Sequence, residues 1–103
     1  MKIIKELSHM IEDELDDAEK YIKAAIRVKT DDAELGKLFF DLAREEMGHM
    51  EKLHNAVVKI IRAYRDTHGD PPAGMMEFYN YLHEAHEERA TRIQLYINRY
   101  SEK

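Results

Sequence analysis

Three side chains able to hold a cation stand where the sequence otherwise places apolar residues: Glu14, Glu46 and His49. Glu14 interrupts the series Ile4, Leu7, Ile11, Ala18, Tyr21, Ala25, Val28. Glu46 and His49 interrupt Leu35, Phe39, Leu42, Leu53, Ala56, Ile60, Ala63. A charged carboxylate on an apolar stripe is costly unless something compensates it. The alternating three- and four-residue steps are those of buried helical stripes, and they predict helices over about residues 3–29 and 33–66. Thr30, Asp31 and Asp32 supply cap candidates between them. Glu14 and Glu46 each lie about 16 residues from that turn, so in an antiparallel hairpin both sit ~24 Å from it. His49 follows one turn beyond Glu46 on the same face. The three donors are therefore expected to meet at one level of the core.

Carboxylate and imidazole donors without thiolate suit iron or manganese, and also zinc. Two Glu residues with a Glu-x-x-His on adjacent helices make half of a carboxylate-bridged dinuclear site. A second copy of the hairpin, related by a two-fold axis, would bring the set to four Glu and two His holding two ions. Glu-x-x-His by itself says little, because it occurs three times. The other two copies, Glu6–His9 and Glu51–His54, fall off the apolar stripes and are expected to face solvent.

A break at His68-Gly69-Asp70-Pro71-Pro72-Ala73-Gly74 separates a third helical segment, about 75–101. Its stripe carries His83 and His86, with Glu87 one turn from His83. His83 and His86 are candidate outer ligands, or form a second cation site with Glu84 or Glu87, and His83 and Glu87 are the metal candidates carried forward. The plainer alternative is buried histidines hydrogen-bonded to Tyr or carboxylates. Counting from the break puts His83 on the order of 10 Å out of level with His49. Tyr79, Tyr81, Tyr96, Tyr100, Met47, Met50, Met75 and Met76 are expected to be packing residues.

Composition narrows the function classes. The 103 residues are enough for one domain, 44% hydrophobic and 36% charged, with a net charge of -5. That balance gives no pull toward nucleic acid or an anionic membrane. The absence of cysteine excludes disulfides, thiolate zinc, iron–sulfur clusters and thiol chemistry. The N-terminal run lacks an apolar signal core and no run approaches ~20 apolar residues, so the cytoplasm is the expected compartment.

Glu14-x-x-x-Ala18-x-x-Tyr21, followed by Leu42-Ala43-Arg44-Glu45-Glu46-Met47-Gly48-His49, resembles the ferritin-like and rubrerythrin superfamily of di-iron carboxylate proteins over about residues 3–66. The resemblance implies an all-α, ferritin-like helical bundle. It implies that Glu14, Glu46 and His49 ligate and do the chemistry of a di-iron centre, with Tyr21 packed beside it. Full-length members carry four bundle helices and a second Glu-x-x-His, which the third segment here lacks. The chain is similar in this to encapsulated ferritins, whose short chains complete the iron site across a homodimer interface. The implied function is iron handling, with ferroxidase chemistry on Fe(II) using O2 or peroxide. The competing reading is a non-catalytic helical oligomerisation module in which the same three residues set register as buried polar groups.

Overall fold

The computed structural model describes residues 2–102. They form three helices, α1 (Lys2–Val28), α2 (Ala33–His68) and α3 (Ala73–Ser101), with no strand among the described residues. Each boundary falls within two residues of the sequence expectation. No helix is long and apolar enough to cross a membrane.

The turns follow from local chemistry. Asp32 caps α2, its side chain accepting from the Leu35 amide at 3.0 Å, which satisfies one of the orphan donors of the first turn. Gly69 ends α2 at φ 79°, a region open to glycine, and its amide donates to the Arg65 carbonyl at 3.0 Å. Pro72 then opens α3, with its carbonyl accepting from Met75 and Met76.

The helices run up, down and up in a rod 56 × 19 × 17 Å. α1 and α2 share the largest contact, and α3 lies along the other edge of α1, meeting α2 only sparsely. Ion pairs fix the register of α3 on α1: Arg89 with Asp16 at 2.8 Å, and His86 with Glu12 at 3.3 Å. Near the first turn, Lys29 donates to the backbone carbonyls of Tyr100 and Glu102. Phe40 stacks on Tyr100 at 4.6 Å there.

The core runs along Ile4, Ile11, Leu15, Ala18, Ile22 and Ala25 of α1, joined by Ile93 and Ile97 of α3. The stripe on α2 differs from expectation. Its buried members are Gly36, Ala43, Val57 and Ile61, one position on from Leu35, Leu42, Ala56 and Ile60, which are half-buried or exposed. One position is a ~100° rotation about the axis. The cause is steric. Small residues let α2 approach α1 closely: a Cβ on Gly36 would lie 3.3 Å from the Lys29 Cα and 3.2 Å from the Tyr100 hydroxyl. The bulkier Leu and Phe side chains are thereby turned to the flank.

Candidate metal centre

The hairpin brings Glu14, Glu46 and His49 together as the residue counts require. Glu14 precedes the end of α1 at Val28 by 14 residues, and Glu46 follows the start of α2 at Ala33 by 13. Their donor atoms all lie within 4.8 Å of one another, the one such group of three among the described residues. The His49 Nδ1 stands 3.4 Å from Glu14 Oε2 and 3.8 Å from Glu46 Oε2.

The group lies on the flank between α1 and α2, away from α3, rather than in the core. The side chain of Glu46 is 19% exposed, that of Glu14 25%, and that of His49 54%. The expectation of a core-facing His49 is thus corrected for the single chain by the rotation of α2. The two carboxylates still oppose each other at close range. Glu46 is pushed up to about 7, first by a hydrogen bond shared with Glu14, then by burial and by the Glu14 charge. Glu14 Oε2 is buried and has no hydrogen-bond partner; His49 Nδ1, 3.4 Å away, is an ion-pair partner to it only when protonated. A buried, unpartnered carboxylate oxygen beside a second carboxylate is a site lacking positive charge. The oxygen-rich donor set with one imidazole fits a hard or borderline divalent cation.

The remaining expected residues are placed elsewhere. Tyr21 stacks on Phe39 with ring centres 6.4 Å apart, two helical turns, about 10 Å, from Glu14. His83 and Glu87 pair with each other at 2.9 Å and are not among the three clustered donors. His54, expected in solvent, is half-buried and stacks on His83 at 4.7 Å. Residue counting could have found this. His54 is 14 residues before the end of α2 and His83 ten after the start of α3. That four-residue difference, about 6 Å, is small enough for the turn to absorb. His9 and Glu6 are exposed as expected, whereas Tyr81, expected to pack, is 71% exposed. Met47, Met50, Tyr79, Tyr96 and Tyr100 do pack against the core.

No protein-family model, curated protein or solved structure matches the chain.

Proposed function

We propose that this chain is a ferritin-like iron-handling protein in which Glu14, Glu46 and His49 bind Fe(II) and a second copy of the chain completes the site. The observation that carries this reading is the three-donor cluster with its orphaned Glu14 oxygen. A cation there removes the Glu14–Glu46 repulsion, displaces the proton Glu46 otherwise holds near neutrality, and gives the buried oxygen a partner.

The donor set is incomplete within one chain. Three protein donors on an open flank leave coordination positions for a further carboxylate or imidazole. That flank is also apolar: Ile3 and Met10 of α1 and Leu35 and Leu38 of α2 are exposed at helical spacing from the site residues. A second hairpin laid against it would bury these side chains and face one Glu, Glu-x-x-His set with another, the four-helix arrangement of carboxylate-bridged dinuclear sites. Iron enters as the substrate. Each Fe(II) gives up one electron, and O2 or peroxide accepts the electrons and takes protons from solvent. The protein's part is to hold the ions, balance their charge with Glu14 and Glu46, and exclude bulk water by dimerisation.

The test is the mass in solution combined with metal per chain, before and after anaerobic addition of Fe(II), followed by exposure to O2. A dimer or a multiple of it, holding about two irons per two chains by the site stoichiometry and consuming O2, is expected. Wild-type protein that takes up no iron and consumes no O2 refutes the reading and leaves the oligomerisation module.

A further inference from the structure

On the opposite side of α2 from the Glu14 cluster, three histidines line one cavity of about 480 Å³ between α1, α2 and α3. His54 comes from α2, and His83 and His86 from a single face of α3. The cavity floor is apolar, with Ile11, Met47, Met50 and Ile97 among its residues. None of the three imidazoles belongs to the centre described above. We propose that His54, His83 and His86 form a second, separate metal site, selective for a divalent ion that favours imidazole, with Zn(II) as its representative.

Two features support this. The first is the carboxylate that partners each α3 histidine. His83 Nε2 lies 2.9 Å from Glu87 Oε1, and His86 Nε2 lies 3.3 Å from Glu12 Oε1. The His86 contact is a hydrogen bond, and because a carboxylate only accepts, the neutral His86 ring carries its hydrogen on Nε2 and keeps the Nδ1 lone pair. A carboxylate holding the far nitrogen of an imidazole is how metal-bound histidines are commonly oriented. The second is placement. α2 and α3 touch sparsely, and an ion shared by His54 and His83 would join them where direct packing is thinnest.

The donor atoms of the three rings stand farther apart than ligand spacing. His54 and His83 lie face to face at 4.7 Å with planes 15° apart. The last torsion of histidine is broad and roughly two-fold, so turning the His54 ring brings one of its nitrogens toward the α3 histidines at small cost. Three imidazoles with room for water match the donor set of His₃ zinc sites and differ from the oxygen-rich set of Glu14, Glu46 and His49. The two sites should therefore choose different metals.

The experiment uses the full chain carrying Glu46→Ala, which removes the first site, titrated with Zn(II) alone and with Co(II) alone as a spectroscopic substitute. One ion per chain is expected, with the intense visible absorption of four-coordinate Co(II), and with paramagnetic broadening of the ring protons of His54, His83 and His86. Adding His54→Gln or His83→Gln should weaken binding by more than about tenfold, and Glu87→Gln by about tenfold. No Zn(II) or Co(II) binding in the Glu46→Ala chain overturns the proposal, as does unchanged affinity in folded histidine variants. If those variants fail to fold, broadening centred on other histidines overturns it equally. Wild-type iron uptake is read separately, so loss of either site leaves the other testable.

Discussion

Replacing Glu46 by Gln should make the metal-free protein more stable while abolishing its stabilisation by metal. Glu46 sits against Glu14 and is pushed from its ordinary 4.5 to about 7. Between those values the folded chain holds a proton that the unfolded chain has released, so stability falls as pH rises through that window and is level above it. The full displacement corresponds to roughly 3 kcal/mol. Water reaching the flank, where about a fifth of the Glu46 side chain is exposed, screens this to on the order of 1–2 kcal/mol. Gln presents the same outline and an N–H to Glu14, and so reproduces the protonated state at every pH. In urea melts with chelator present, Glu46→Gln should exceed wild type by that amount at pH 8. The two should converge below about pH 4.5, where Glu46 is protonated in the folded and the unfolded chain alike. Added Fe(II) or Mn(II) under anaerobic conditions should raise the wild-type midpoint and leave the variant unmoved. A variant that is no more stable than wild type at pH 8, or whose difference from wild type does not change with pH, would refute the account of paired carboxylates awaiting a cation.

The same proton predicts that cation binding at pH 6 releases about one proton per site, with affinity falling up to about tenfold per pH unit below 7; calorimetry in buffers of different ionisation enthalpy measures this. Leu15 is fully buried, so Leu15→Ala should cost about 2–5 kcal/mol in denaturant unfolding. Two glycines in α2 give a paired test. Nothing lies within 4 Å of a Cβ on Gly48, whereas one on Gly36 meets the Lys29 Cα at 3.3 Å. Gly48→Ala should therefore stabilise by about 0.5–1 kcal/mol in thermal melts, and Gly36→Ala should gain nothing or lose. Removing the α2 cap with Asp32→Ala should cost about 1 kcal/mol in the same assay.

Much of the architecture was legible in the residue order. Regular three- and four-residue steps, broken only at Thr30–Asp32 and at the Gly69–Pro72 turn, specify three helices, because local chemistry sets where a helix starts and stops. Equal counts on either side of the first turn specify that Glu14 and Glu46 share a level, because helix rise is constant. What the steps could not specify was which side of each stripe is innermost. Apolar residues occupy more than one line along α2, and the choice fell to Gly36 and Ala43, whose small size permits close approach to α1. That packing decision turned Glu46 and His49 from the core to the flank, and put His54 against His83. Rotation about a helix axis is settled by the shape of the neighbouring surface, which periodicity does not encode. The sequence by itself therefore determined the helices, their turns and the level of the site; only the tertiary structure decided that the site opens outward and that His54, His83 and His86 line one cavity.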